Sequence, residues 1–524
     1  MHKSTILSLG TSLARTTPVS RAAGRRMRVV AAATAVFGLV GAMAATPPNH
    51  GSATPSGGHR AGSSRVVRPL ASLQEQQAKA DAMANATFYD PEHFAGSLFN
   101  TAKVVGADEF WKAGSDGTGV DVALIDTGVA PVEGLGSVIN GPDFSLDAGA
   151  GQDGLDEYGH GTHLAGIIAG HDAGYEDTKI EHGVEPDKWA KTHYAGIAPG
   201  ARIVNVRVGA ADGAADVSQL ITAIGWTVEH AHTDGLNIRV INLSVGTSGV
   251  QDYRTDPLTY AVERAWRAGI VVVVAAGNDG ATADLADPAY DPFVVTVGAS
   301  DTMNTTGTGD DVVADFSSRG TANRRPDFVA PGRSIVSLRD PGSVIDDANP
   351  NAVVTDRFFK GSGTSEAAAV ASGAVALLLD RYPDLTPNQV KALLAHSGHK
   401  LPLKSGVTLD AGMRNIDLKE AVGKAKDVRA NKIPSEQRFD LATGTGSLEA
   451  ARGDSHLILD GSNQAGEVDA FGDAWNPADP TTWTASRWTG SRWSGSRWSG
   501  SRWSGSRWSG SRWSGNVWNN TAWN

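Results

Sequence analysis

The chain has 524 residues, 62 glycines, no cysteine and a net charge of −11. Its 40% hydrophobic content is enough for a sizeable core, which excludes whole-chain disorder, collagen-like fibres and multi-span membrane proteins. The lack of cysteine excludes disulfides, thiol nucleophiles and cysteine-ligated metals. Residues 1–44 and 481–524 each carry a charge of +6, which leaves −23 for residues 45–480. An acidic body disfavours nucleic acid as a ligand, because binding would lack the counterion-release term.

The first 44 residues have the pattern of a signal peptide. An arginine cluster at 25–28 precedes an apolar run over 29–45, and Ala-Met-Ala at 42–44 suits a signal peptidase. The alternative is a membrane anchor, but the run is shorter than the roughly 20 residues that an anchor needs. We therefore expect export, with the mature protein extracellular or associated with the cell surface.

Residues 45–95 are rich in Pro, Gly and Ser and then weakly helical over 73–86, which predicts a pro-segment or N-terminal arm. Residues 96–425 alternate β-branched runs of strand length with amphipathic helices. This βαβ pattern predicts an α/β domain whose mostly parallel sheet carries helices on both faces. The predicted strands are 120–125, 202–208, 240–245, 270–275 and 293–297, and the predicted helices are 163–169, 217–230, 257–268 and 366–382.

The chain changes character after the α/β domain. Residues 426–480 are mixed and polar and are predicted to be a linker or accessory segment, whereas residues 481–524 repeat Ser-Arg-Trp-Ser-Gly with a tryptophan at every fifth position. Repeated Trp and Arg suit polyanionic or interfacial surfaces such as cell-wall polymers or lipid headgroups. A low-complexity extension with no specific ligand is the alternative.

Three segments place an acid, an imidazole and a hydroxyl where strands end or helices begin. Asp126 ends an apolar strand, His160 lies in Gly-His-Gly-Thr-His, and Ser365 follows a glycine turn at the start of an Ala-rich helix. Taken singly, each has another interpretation: Asp126 as a turn residue, His160 and His163 as metal ligands, and Ser365 as a helix cap.

Taken together, the three residues predict nucleophilic catalysis, because a neutral serine needs a base that a third group orients. Asp126 would hold His160, and His160 would take the proton of Ser365 during attack on a carbonyl. Asn278 follows a buried strand, so its amide and the Ser365 N–H would be the two donors of an oxyanion hole.

These motifs resemble the subtilase family of subtilisin-like serine proteases, in the order Asp, His, Asn, Ser. The resemblance covers about residues 100–425 and implies a subtilisin-like three-layer fold. It also implies a monomeric endopeptidase that cleaves proteins or peptides through an acyl-enzyme and binds no nucleic acid. By the same resemblance, the segment that pairs with the substrate backbone is Ser244, Val245 and Gly246. The opposite wall of the specificity pocket is formed by Ala275, Ala276 and Gly277. The floor of the pocket is Ala286, in the turn before a cis Asp287–Pro288 bond.

The sequence departs from the family pattern at two positions beside the nucleophile. Glu366 stands where the family usually has Met, and Ala369 where it usually has Pro. Either Glu366 lowers activity by placing a carboxylate beside the site, or it points into a polar pocket and is harmless.

No cofactor is expected for catalysis. The resemblance allows structural calcium, but the acidic stretches at 143–156 and 301–311 have no diagnostic ligand spacing. The alternative function is a weakly active adhesion or scaffold protein that uses its Trp/Arg tail at the cell surface.

Overall fold

A computed structural model describes the body of the chain. The predicted signal peptide (1–44), most of the predicted pro-segment and nearly all of the tail lie outside the described residues, as does the predicted helix at 73–86. Among the residues that are described, no helix has the length and apolar character needed to cross a bilayer. The described ranges are 89–136, 138–149, 154–175, 186–249, 251–403, 406–459, 462–470, 472–476 and 512–513.

Helices and strands alternate through most of the described chain. The strands are β1 Asp121–Asp126, β2 Val138–Asp143, β3 Arg202–Arg207, β4 Ile238–Leu243, β5 Val245–Gly246, β6 Val271–Ala275, β7 Val295–Asp301, β8 Val312–Val313, β9 Phe328–Pro331, β10 Ile335–Leu338, β11 Phe358–Gly361, β12 His399–Lys400, β13 Arg414–Asn415, β14 Ile458–Leu459, β15 Ser462–Asn463 and β16 Arg512–Trp513. The helices are α1 Leu98–Val105, α2 Ala107–Lys112, α3 His160–Ala169, α4 Pro186–Trp189, α5 Val217–His230, α6 Pro257–Arg267, α7 Val344–Ala348, α8 Thr364–Arg381, α9 Pro387–His396, α10 Leu418–Arg429 and α11 Leu448–Arg452. Short 3-10 turns occupy Pro350–Ala352 and Thr408–Asp410.

A ten-stranded sheet, mostly parallel, forms the centre of the fold. Its strand order is β12-β13-β9-β7-β6-β4-β1-β3-β2, with β8 paired to β7. The strands β1, β3, β4, β6, β7 and β9 run parallel, whereas β8 and β12 pair antiparallel. All six residues of β1 are buried, as expected for a strand covered on both faces. The predicted α/β architecture with a mostly parallel sheet is confirmed.

Local sequence signals explain where the main helices begin. Asp216 caps α5 through a complete capping box with Gln219, and Asp256 caps α6 just before a proline at the first helical position. Helix α8 is almost wholly buried. Its alanines and glycine let it pack closely against β4, β6, β7 and α3, while α5 packs against α6.

The segment predicted as a linker or accessory, residues 426–480, is packed against the domain over much of its described length. Helix α11 contacts α5 and α6, and Leu448, Ala451 and Trp475 join the main core. The guanidinium of Arg452 binds the carboxylate of Asp216 at 2.6 Å, and neither side chain is exposed. Such a pair needs both partners, because removing one leaves a buried charge without compensation.

Candidate active site

The carboxyl end of β1 holds an acid–imidazole pair. Asp126 is the last residue of β1 and His160 is the first of α3, and Asp126 Oδ1 lies 2.8 Å from His160 Nδ1. Both side chains are buried. The close approach requires glycine at 161, since a side chain there would lie 2.1 Å from the Gly128 carbonyl oxygen. With Nδ1–H donating to Asp126, the other ring nitrogen is the one available for proton transfer.

A second buried acid, Asp156, fixes the turn that carries His160. Its carboxylate accepts hydrogen bonds of 2.7 Å each from the hydroxyl of Thr127, the backbone N–H of Gly159, and both the N–H and the hydroxyl of Thr162. These bonds tie the end of β1 to the start of α3. Sequence reasoning missed Asp156, because an Asp in a glycine-rich stretch is typical of a solvated loop.

Asp126 also sets the charge of the imidazole. Burial by itself lowers the pKa of His160, but the charge of Asp126 and its hydrogen bond outweigh burial and raise the pKa above the ordinary value. The more distant charges of Glu366 and Asp156 act in the same direction. His160 is thus arranged to become and remain an imidazolium, as a general base must during attack.

Ser365 lies at the start of α8, against the end of β4. Its hydroxyl is 3.4 Å from the backbone carbonyl oxygen of Ser244. Because β4 pairs with β1, with Leu243 opposite Ile125, Ser244 and Asp126 leave the sheet at the same edge. The fold therefore brings Ser365 to the edge that carries the Asp126–His160 pair.

Thr364 connects the turn before Ser365 to the strand end that holds Asn278. Its hydroxyl accepts from the Gly277 N–H at 3.1 Å, while its N–H and hydroxyl donate to Asn278 Oδ1 at 2.9 and 3.1 Å. The Asn278 oxygen is thereby occupied, whereas its amide nitrogen has no hydrogen-bond partner among the described residues. An amide held by its oxygen presents its N–H₂ as a donor. Sequence reasoning missed Thr364, although it lies inside the Gly-Thr-Ser motif.

The predicted pocket residues come from two segments that meet. Thr247 and Asp287 exchange backbone hydrogen bonds of 3.0 Å in both directions, and Ala286 N–H donates to the Ala276 carbonyl at 3.2 Å. A side chain at Gly246 would lie 2.8 Å from the Ala286 Cβ, so the strand and the predicted floor are in contact. The Asp287–Pro288 bond is cis, as the resemblance implied.

Asp287, the residue next to the predicted pocket floor, resists ionisation. Burial raises the pKa of Asp287 well above its usual value, and the neighbouring charge of Asp256 raises it further. The Asp287 carboxyl is therefore harder to ionise than an ordinary aspartate. Ala286, beside it, adds only a methyl group.

Comparison with known proteins agrees with this arrangement. The profile described as "Subtilase family" matches residues 117–430, more than half of the chain. The chain belongs to the subtilase family. It is 38% identical over 291 residues to "Serine protease AprX" of Bacillus subtilis (strain 168), a match over 54% of this chain and 62% of AprX. It is 30% identical over 302 residues to "Subtilisin DY" of Bacillus licheniformis, covering 57% of this chain and 90% of that protein.

A cold-adapted subtilisin-like serine proteinase is 30% identical and is matched over 58% of this chain and 89% of its own, with a TM-score of 0.42. The family match ends at residue 430. Helix α11 and the segment around it therefore lie outside the matched range.

Glu366, the residue in the position where subtilases usually have Met, is fully buried. Its carboxylate is 4.0 Å from His163 Nε2, and neither carboxylate oxygen has a hydrogen-bond partner among the described residues. Burial raises the pKa of Glu366 to about 7, with His160 lowering it and Asp126 raising it. Burial, together with the charge of His160, lowers the pKa of His163 to about 3. At mildly acidic pH the Glu366 carboxyl and the His163 imidazole are therefore both neutral.

One short piece of the tail reaches the predicted substrate strand. The backbone of Arg512–Trp513 pairs antiparallel with β5, with Arg512 opposite Gly246 and Trp513 opposite Val245. An extended peptide would use the same edge for strand addition. In this structure a segment of the chain itself thus occupies part of the edge that the subtilase resemblance assigns to substrate.

Metal ligation has little support in the described part of the chain, where no group of three or more His, Asp or Glu residues is arranged to hold an ion. The acids proposed for calcium have protein partners: Asp143 binds Arg207, Asp301 binds Arg333, and Asp311 binds His399. Structural calcium stays a prediction.

Proposed function

We propose that this subtilase is a secreted serine endopeptidase. Ser365 attacks the peptide carbonyl as His160 takes its proton, and Asp126 holds the resulting imidazolium. The Asn278 amide and the Ser365 N–H bind the oxyanion, the amine leaves with a proton from His160, and water then hydrolyses the acyl-enzyme. The observation that carries this proposal is the buried 2.8 Å contact between Asp126 and His160, at the edge where Ser365 also lies.

The neutral floor suits a substrate with a medium or large apolar side chain before the scissile bond. Ala286 is small and uncharged, and burial of Asp287 beside it disfavours the charge that would select Lys or Arg. Pairing of the peptide backbone with Val245 and Gly246 would accept extended substrates of many sequences, with the pocket supplying selectivity.

Casein hydrolysis by the purified protein tests the activity. Ser365→Ala should abolish hydrolysis, while Ser397→Ala, which removes a buried hydroxyl at the end of α9, should leave it intact. Mass spectrometry after treatment with a fluorophosphonate should find the label on Ser365 alone. Hydrolysis that survives Ser365→Ala would refute the proposal.

Export and surface attachment are separate parts of the proposal. The signal-like segment 1–44 supports secretion. N-terminal sequencing of protein from the culture medium should show that the secreted protein lacks those residues.

A weakly active surface adhesin is the second candidate, favoured by the Trp/Arg repeats. Deleting 481–524 tests it: loss of surface retention supports adhesion, and unchanged retention contradicts it. A rise in kcat/KM on the same deletion would show that the Arg512–Trp513 strand competes with substrate at β5.

A further inference from the structure

The loop that follows the peptide-pairing strand is attached along its length to the C-terminal segment. This loop, residues 247–256 after β5, leads directly from Gly246 to the cap of α6. Gln251 and Ser447 bind each other in both directions, through Gln251 Nε2 to the Ser447 carbonyl at 2.8 Å and the Ser447 N–H to Gln251 Oε1 at 3.1 Å. The Gly446 N–H donates to the Thr255 carbonyl at 2.6 Å.

The attachment is closest beside the specificity pocket. The hydroxyl of Thr247 donates to the Ala451 carbonyl oxygen at 2.5 Å, and Ser248 is bonded to the carboxylate of Asp454. Thr247 is the residue after Gly246, and its backbone is paired with Asp287 on the other side. A single residue thus joins the peptide-pairing strand, the pocket floor and helix α11.

Helix α11 itself is held rigidly. Arg452 forms the buried pair with Asp216 and also donates to the Gly466 carbonyl at 2.7 Å, and Leu448 and Ala451 are buried in the core. Asp216 caps α5, so α11 is fixed to a main helix of the domain. A rigid support of this kind can hold a binding residue within the few tenths of an ångström that productive geometry requires.

We propose that residues 447–454, which lie beyond the family match, are positioning residues for the specificity pocket and act through Thr247 on the peptide-pairing strand. The inference rests on the proposed endopeptidase function and adds to it. The hydrogen bonds of the segment reach Thr247, Ser248 and Gln251, which follow the peptide-pairing strand. The segment should therefore govern how firmly an extended peptide binds, and not how fast the serine reacts.

Two matched pairs of variants test this inference. Thr247→Val removes the hydroxyl that donates to Ala451, and Thr443→Val removes a similar bond, to the Arg254 carbonyl, further from the strand. Gly453→Ala would place a Cβ 2.5 Å from the Ser248 backbone, whereas Gly472→Ala, also at positive φ, meets nothing within 4 Å. Thermal melts of each variant fix an assay temperature at which the protein is folded.

The measurements are KM and kcat on tetrapeptide p-nitroanilides that end in Phe, Leu or Ala, and the rate of inactivation by diisopropyl fluorophosphate, which has no peptide backbone. Thr247→Val removes the bond to Ala451 and a weaker one from the Gly249 N–H, and it should raise KM about 3- to 10-fold with kcat and inactivation unchanged. Gly453→Ala should raise KM further and alter the Phe-to-Ala ratio. Thr443→Val and Gly472→Ala should match the wild type.

Unchanged KM and unchanged selectivity in folded Thr247→Val and Gly453→Ala would overturn the inference. So would an equal fall in kcat and in the inactivation rate, since the disturbance would then lie at the serine. A wild-type protein that fails to react with the fluorophosphate at all refutes the proposed function instead, so the two failures are distinguishable.

Discussion

Two histidines lie one turn apart on α3, each buried and each facing an acid, yet their pKa values shift in opposite directions. His160 is 2.8 Å from Asp126 and has a raised pKa, whereas His163 is 4.0 Å from Glu366 and has a pKa lowered to about 3. Burial lowers the pKa of both. The difference is that His160 has a hydrogen-bonded carboxylate, while the acid facing His163 lies beyond hydrogen-bond distance and itself resists ionisation.

The comparison teaches that the pairing geometry, and not the residue types, decides which imidazole can accept a proton. A buried charge is tolerated where a hydrogen-bonded partner compensates for lost hydration. His163 and Glu366 lack that bond to each other and each is driven towards its neutral form. The predictions below break or sharpen this contrast, from the largest effect to the smallest.

Asp126→Asn should give the largest effect. The amide cannot stabilise an imidazolium and favours the wrong tautomer, so kcat should fall by about four orders of magnitude, as in other triad enzymes. Steady-state kinetics on a peptide p-nitroanilide would measure the fall, with circular dichroism to show that the fold is kept. A loss below ten-fold would contradict the role given to the pair.

His163→Asn should reduce the loss of unfolding free energy as the pH falls. In the wild type the folded pKa of His163 is about 3 against 6.5 for the ordinary side chain, so its contribution is lost as pH falls between those values. The slope is about 1.4 kcal/mol per pH unit. Urea unfolding from pH 7 to pH 4 should show wild type losing more stability than His163→Asn, and parallel curves would disprove the assignment.

Glu366→Gln should affect stability with the opposite pH dependence. The folded pKa of Glu366 is about 7 against 4.5, so the unfolded chain ionises first and stability falls as pH rises from 4.5 to 7. The variant should lose less stability over that window, by about 3 kcal/mol. Urea unfolding at pH 5 and pH 7.5 measures the difference, and Glu366→Met, which also removes the charge, should behave alike.

The smallest effect concerns the pH dependence of the reaction. The charge of Glu366 raises the pKa of His160, so Glu366→Gln should shift the acid limb of kcat/KM to lower pH by less than about one unit. The Glu366→Met variant also decides between the two hypotheses for this residue: a higher rate would support inhibition by the carboxylate, and an unchanged rate would reject it.

Much of the domain could be predicted because its signals are local. The predicted helix at 217–230 begins and ends as observed, since Asp216 and Gln219 form the capping box within four residues. The buried β-branched strands were placed to within two residues at most of their ends, though 293–297 continues to Asp301. Strand β2 was missed, because its Asn-Gly-Pro sequence is tolerated only at the edge of the sheet, where β2 lies.

The rest depends on contacts between distant residues. Polar composition left open whether 426–480 is a linker or an accessory segment, and it gave no sign that Arg452 is buried against Asp216, 236 positions earlier in the chain. Charged residues predict exposure unless the partner is known. Glu366 shows the same limit: its position was identified from the family pattern, but that it is buried and faces His163 follows only from the fold.

The Arg452–Asp216 pair can form only late in synthesis, because Arg452 follows the family domain in the chain. A nascent chain that has reached residue 430 contains every residue of the shared family domain, yet its Asp216 lacks the guanidinium that compensates it, at a cost of about 3–5 kcal/mol. Asp216 is therefore compensated only once helix α11 has been made and packed against α5.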